Sequence, residues 1–292
     1  MHLGLGLGDV SNRILTVGHP ARADMFAQLL DAGSIRLHQV SSRGFVTYTG
    51  TYHGVEVSIV SIGMGLPMMD FFVREVRSVI PKGTEIYIIR IGTCGGLQRD
   101  ISPGTIAVAK EGGILVRRNY DSFLDANHID NHEEKNEDSS SVDIKTPLCQ
   151  KYYTTSNVCP SDESLTNTFI HYLGKIPHVT ITTGLNISGE SFYSTQGRID
   201  SNFIDNNEGL LEHVCSNHPS AVSMEMETFQ LLHLAACAKD TANGGAGRIH
   251  ATAAAVILIN RYTREVIQED ICHLAEKNAG ICALKTLIHQ TL

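Results

Sequence analysis

An arginine ends an otherwise apolar run and small residues follow it at once: Glu85-Ile86-Tyr87-Ile88-Ile89-Arg90-Ile91-Gly92-Thr93-Cys94-Gly95-Gly96. The apolar part reads as a strand over Glu85–Ile91 and the small residues as a turn. A guanidinium at the end of such a strand is not buried without an anion or a fixed set of acceptors, because desolvating a lone charge is costly. Any fold that buries this strand must therefore bring an anion, or its equivalent, to Arg90. The glycines let backbone N–H groups approach a ligand closely and Thr93 adds a hydroxyl, so phosphate suits the site. Taken alone, the same residues also fit an arginine turned out to solvent beside a glycine turn.

The rest of the chain repeats one rhythm. Arg13–Val17 precedes Pro20–Leu30 and Val55–Ile62 precedes Pro67–Ile80; Glu85–Ile91, Thr105–Ala109, His178–Ile187, Met224–Ala238, His250–Ile259 and Gln268–Gln290 continue it. Short apolar runs alternating with helix-period segments predict an α/β fold, a three-layer α/β/α sandwich around a central mixed sheet. With 292 residues and 42% hydrophobic composition, one large core suffices, and residues 1–292 read as a single domain. Ligands of such sheets lie beyond the carboxyl ends of the strands, where Gly18, Gly63, Gly92 and Asn260 fall. Asp121–Ser141 breaks the rhythm, with Asp121, Asp125, Asp130, Glu133, Glu134, Glu137 and Asp138 against a single Lys135. It reads as a mobile acidic insertion. Lys239–Arg248 reads as a second exposed connection.

Composition excludes several classes of function. A net charge of −8 with dispersed basic residues argues against a nucleic-acid surface. Seven cysteines with no Cys-x-x-Cys pair suit a reduced, cytoplasmic chain. No apolar run approaches the length of a membrane span and no leader is evident, so no membrane partner is expected.

Three further motifs carry chemistry. Val17-Gly18-His19-Pro20-Ala21-Arg22 joins a strand to a helix. Pro20 suits the first helical turn, whose free N–H groups attract an anion within reach of Arg22. Met224-Glu225-Met226-Glu227-Thr228 opens a helix with two carboxylates, which either serve the helix dipole or divide, one accepting from a sugar diol and the other structural. Phe192-Tyr193-Ser194-Thr195-Gln196-Gly197-Arg198 offers an aromatic plane, an amide and a guanidinium. That set matches the edge of a uracil ring, with Arg198 favouring the ring as an anion, although a polar surface loop has the same composition. The Gly4-Leu5-Gly6-Leu7-Gly8 run precedes its strand and fails the dinucleotide spacing.

Together these segments resemble the uridine phosphorylases of nucleoside phosphorylase family I, from Met1-His2-Leu3-Gly4-Leu5 through to Asn260-Arg261. The Gln196-x-Arg198 pair is the specific part, and the other motifs are shared with purine-acting relatives. The resemblance implies the nucleoside phosphorylase fold and a phosphate site of Gly18, Arg22, Arg90 and Thr93. Arg43 would reach the phosphate of a neighbouring subunit and His2 the neighbour's ribose. It further implies that Glu227 holds the 2′- and 3′-hydroxyls over Met226. Phe192, Gln196 and Arg198 would hold the base, with Thr93, Cys94 and Gly95 near it and Arg261 behind. The chemical burden would fall on Arg90, Arg198, Gln196 and Glu227.

The activity so implied is reversible phosphorolysis of uridine to uracil and ribose 1-phosphate, in pyrimidine salvage, by a homodimer with shared active sites. No organic cofactor and no metal are expected, inorganic phosphate being a co-substrate. His19 replaces the aspartate common in bacterial relatives. Gly44 replaces the metal-coordinating glutamate of the hexameric enzymes, which points to the dimeric branch. Thymidine and deoxyuridine stay open as further substrates, since a methyl or hydroxyl group is worth only about 1–3 kcal/mol in discrimination. The alternatives are a purine nucleoside phosphorylase, whose relatives carry an aspartate where this chain has Asn260, and a non-catalytic nucleoside-binding paralogue.

Overall fold

Among the residues that the computed structural model describes, 1–123 and 149–290, the strands form one mixed sheet that branches at its central strand. The amino-terminal part runs β1 (Arg13–Val17), α1 (Pro20–Ala27), β2 (Leu37–Val40), β3 (Val46–Tyr52), β4 (Val55–Ser61) and α2 (Leu66–Val79). The middle comprises β5 (Ile86–Gly96), β6 (Ile106–Val108), β7 (Gly113–Arg118), α3 (Cys149–Tyr152), β8 (Tyr153–Thr155) and α4 (Glu163–Leu173). Then come β9 (Ile181–Thr183), β10 (Leu185–Gly189), α5 (Leu210–Asn217), β11 (Ala221–Glu225), α6 (Thr228–Cys237), β12 (Ile249–Asn260) and α7 (Glu269–His289). From position 124 onward the acidic insertion expected at 121–141 lies outside the described residues.

The sheet order is β2-β3-β4-β1-β5-β11-β10-β7-β8, and β12, with β6 and β9 beyond it, branches from β5. Strands β4, β1, β5 and β12 are mutually parallel, whereas the β2-β3-β4 meander and the β5–β11 junction are antiparallel. Two-residue alternation along β5 generates the layers. Ile86 and Ile88 pack with Met69, Phe72 and Val76 of α2 and Leu231 of α6. Tyr87, Ile89 and Ile91 pack with Phe26 of α1, Phe169 of α4 and Ala283 of α7. The result is the expected α/β/α arrangement, with Arg90 on the same face as Ile86 and Ile88.

Three sequence boundaries need correction. The expected turn after Ile91 is strand: β5 runs on through Gly96 because β12 pairs with it in parallel as far as Asn260. The expected helix from Met224 is first a strand, since Ile187 and Ser188 of β10 pair with Met224 and Glu225, and the helix starts only at Thr228. The run His178–Ile187 holds two strands with different partners, β9 on β6 and β10 on β7 and β11. Gly184 divides them, where an added Cβ would lie 2.3 Å from the Ser220 carbonyl.

Candidate active site

The carboxyl ends of β1 and β4 are joined by a hydrogen bond from Gly63 N–H to Gly18 carbonyl, 2.9 Å. Gly63 has φ of 79°, a conformation that favours glycine. Beside this joint a cavity of about 600 Å³ opens, bounded also by the ends of β5, β11 and β12.

Arg90 is a buried cation of the cavity wall, 3% exposed. Its guanidinium lies against Gly92, where an added Cβ would sit 1.9 Å from Nη1, so glycine at 92 serves the arginine side chain. Nη1 stands 3.4 Å from Glu225 and Nη2 donates to Glu227, while Nε and Nη1 are buried without a hydrogen-bond partner among the described residues. A guanidinium that lines a cavity with two of its donors outside any hydrogen bond suits an oxyanion.

The two carboxylates divide their work. Glu225 accepts from Ser188 Oγ at 2.6 Å and from the backbone N–H groups of Glu227 at 2.9 Å and Thr228 at 3.1 Å, fixing the start of α6. Glu227 accepts from Gly65 N–H at 2.5 Å, ahead of α2, and from Arg90. Burial pushes the Glu227 carboxyl up to about 7; Arg90 opposes the shift and Glu225 reinforces it.

Pro20 occupies the first turn of α1, and His19 caps the helix by accepting from Ala21 N–H through Nδ1 at 3.1 Å. Arg22, in the same first turn, is anchored to Glu276 of α7 at 2.5 Å.

At the opposite wall, Ser191 and Thr195 tie the chain into a short 3-10 turn over Ser194–Gln196, closed by Gly197 at φ of 61°. Asn207 holds it from behind by donating to the carbonyls of Ser194 and Arg198. Gln196 is 3% exposed, whereas Phe192 is 47% exposed, with the Arg198 guanidinium 4.1 Å above its ring. Burial lowers the pKa of Arg198.

Arg261 packs over Gly95, where a Cβ would meet its Cδ at 2.9 Å, and donates to the Gln196 carbonyl at 2.6 Å. Burial, then the charge of Arg198, lowers its pKa to about 10. Asn260 is fully committed: its amide donates to Gln98 and Ile101 carbonyls and its carbonyl accepts from Tyr262 and Thr263 N–H groups.

The cavity brings together Gly18, Arg22, Arg90, Thr93, Cys94, Gly95, Phe192, Gln196, Arg198, Met226 and Glu227. Arg43 and His2 lie outside it. Arg43 is exposed beside Gly44, and His2 pairs with Glu75 at 2.7 Å and tilts over Phe71. Arg261 stands behind the wall. The wall also includes His19 and Gly63, which the sequence places past strand ends, and Met64, to which it gave no role; the anchor Glu276 was missed altogether. For the first three, position just past a strand end was the available signal; for Glu276 there was none.

Residues 12–281 match the Phosphorylase superfamily. The chain belongs to that superfamily. Over its whole length it superposes, with a TM-score of 0.84 and 37% identity, on 95% of a chain from a study of two diverse uridine phosphorylases in the oomycete Phytophthora capsici. A Trypanosoma brucei nucleoside phosphorylase, described as showing uridine phosphorylase activity, shares the fold with a TM-score of 0.74 at 21% identity, covering 99% of this chain and 98% of its own. Among curated sequences, a DeoD-type purine nucleoside phosphorylase of Geobacillus kaustophilus is 34% identical over 109 residues, 37% of this chain and 44% of its own length. The corresponding Listeria monocytogenes protein is 32% identical over 124 residues, 42% of this chain and 51% of its own. The chain thus spans about half the length of the curated relatives it matches.

Proposed function

We propose that this superfamily member catalyses reversible phosphorolysis of uridine, giving uracil and ribose 1-phosphate. The observation that carries the reading is one cavity in which Arg90, two of whose buried donors make no hydrogen bond among the described residues, shares the space with Gln196 and Arg198.

Arg90 and Arg22, with Thr93 and the turn at Gly18, hold phosphate beneath C1′ of the nucleoside. A phosphate oxygen forms the new bond to C1′ as the C1′–N1 bond breaks, and the bonding electrons leave with the uracil ring. Holding the nucleophile in line supplies most of the acceleration, and no covalent intermediate with the protein is needed. Negative charge grows on the base as it departs, so Arg198 and the Gln196 amide stabilise the transition state more than the ground state. Glu227 accepts from the ribose hydroxyls over Met226, and phosphate takes up the Arg90 donors that Glu227 leaves free. The only co-substrate is inorganic phosphate.

Two features favour a pyrimidine over a purine. Gln196 and Arg198 match the alternating acceptors and donor of a uracil edge. Asn260, at the position where purine-acting relatives carry an aspartate, has its side chain bound to backbone and leaves no group for a purine N7. The 37% identity to the Phytophthora capsici chain supports the same choice, whereas the purine-acting relatives match over a shorter stretch. Because Arg43 and His2 stand outside their own cavity, we assign them to the site of a second copy in a homodimer.

The test is a substrate panel of uridine, thymidine and inosine, each with and without phosphate. Uracil released only when phosphate is present, faster than hypoxanthine from inosine, is the expected result. Phosphate-independent release, or a preference for inosine, overturns the assignment.

A further inference from the structure

We propose that Glu276 is a positioning residue for phosphate, acting through Arg22; the inference rests on the phosphorolysis reading only for the identity of the anion. Arg22 Nη2 meets Glu276 Oε1 at 2.5 Å, with the two side chains 12% and 14% exposed. Arg22 lines the cavity beside His19 and Arg90, and its Nε is buried without a hydrogen-bond partner among the described residues. A carboxylate holding one terminal nitrogen fixes the plane of the guanidinium fork and leaves its other donors for a second acceptor.

The anchor is itself rigid. Glu276 and Gly280 lie four residues apart on α7, as Arg22 and Phe26 do on α1, so each pair shares a helix face. Phe26, fully buried, fits against Gly280 so closely that an added Cβ would lie 2.2 Å from its Cε1. One turn away, Glu276 meets Arg22. These two contacts form a joint between the helices that prevents α7 from sliding along α1, and the joint ends at the cavity wall. A purely structural ion pair would be indifferent to phosphate; a positioning pair is not.

The measurements are the Kd for inorganic phosphate by calorimetry without nucleoside, and steady-state KM and kcat for uridine phosphorolysis. For Glu276→Ala, Kd and phosphate KM rise about ten-fold, as expected for losing a charge-assisted contact, while kcat at saturating phosphate and uridine KM stay within about two-fold. Glu276→Gln, whose amide oxygen stays within reach of Nη2, recovers most of the loss. Glu276→Asp keeps the charge without the reach and weakens phosphate several-fold at unchanged thermal stability, a readout that survives even where Glu276→Ala does not fold. In an Arg22→Ala background the Glu276 substitutions have no further effect. Unchanged or tighter phosphate binding in the Glu276 variants, or an equal loss without Arg22, overturns the proposal. A wild type that binds phosphate but leaves uridine intact refutes the functional reading while the calorimetry still decides the role of Glu276.

Discussion

Adding a single methyl group at Gly92 should disable Arg90 without replacing it. An alanine Cβ at this position would lie 1.9 Å from Arg90 Nη1 and 3.0 Å from Cζ, where ordinary contact begins at 3.4 Å. The guanidinium must then shift by 3.4 − 1.9 = 1.5 Å. It has little freedom to do so, being 3% exposed and paired with both Glu225 and Glu227. A misplacement of about 1 Å in a substrate-positioning group costs on the order of 100-fold, or about 2.7 kcal/mol of transition-state stabilisation. Gly92→Ala is therefore expected to lower kcat/KM for phosphate about 100-fold in a continuous uridine phosphorolysis assay, with uridine binding nearly unchanged. Thermal melting in parallel should show a loss of stability as well, because the buried carboxylates lose part of their counter-charge. A variant within three-fold of wild type at subsaturating phosphate would refute the claim that Arg90, in this position, holds the nucleophile.

Gly95→Ala acts on the other wall: its Cβ would meet Arg261 Cδ at 2.9 Å and push the support away from Gln196, so uridine KM should rise about ten-fold with phosphate Kd unchanged, as for loss of one charged hydrogen bond. The Glu227 carboxyl, raised by burial from 4.5 to about 7, binds its proton more tightly in the folded state. Its stabilising contribution is thus full below the unfolded pKa and lost as pH rises through the folded one. The melting temperature of Glu227→Gln should accordingly gain on wild type between about pH 5 and pH 7, and parallel curves would contradict the burial of this group. Gly280→Ala should lower stability in chemical denaturation by up to about 2 kcal/mol, overpacking against Phe26 exceeding the gain in helix propensity; a stabilised variant would mean that the helices can part.

Much of the site was legible because placing polar residues in apolar surroundings demands a reason. Arg90 at the end of Ile86–Ile89, and Gln196 and Arg198 beside an aromatic, are such residues, and the fold gathers them into one cavity. The α/β/α layering followed from alternating strand and helix periods. Long-range pairing was not legible. Gly92–Gly96 look like a turn in one dimension and become strand only because β12 lies alongside. Glu225 looks like a residue of a first helical turn until β10 claims it for the sheet. Strands β2 and β3 went unread although β3 and β4 form a hairpin closed by a two-residue turn at His53 and Gly54, both with positive φ, a local signal that was missed. Glu276 is an ordinary helical glutamate in the sequence, and only the packing of α7 on α1 gives it a role.

The central claim is that one cavity seats phosphate and a pyrimidine at fixed positions. A crystal structure of the protein with uracil and phosphate tests it most directly. The account predicts phosphate within hydrogen-bond distance of Arg90, Arg22 and Thr93, and the uracil edge against Gln196 and Arg198. Phosphate bound away from Arg90, or uracil outside the wall formed by Phe192–Arg198, would contradict it.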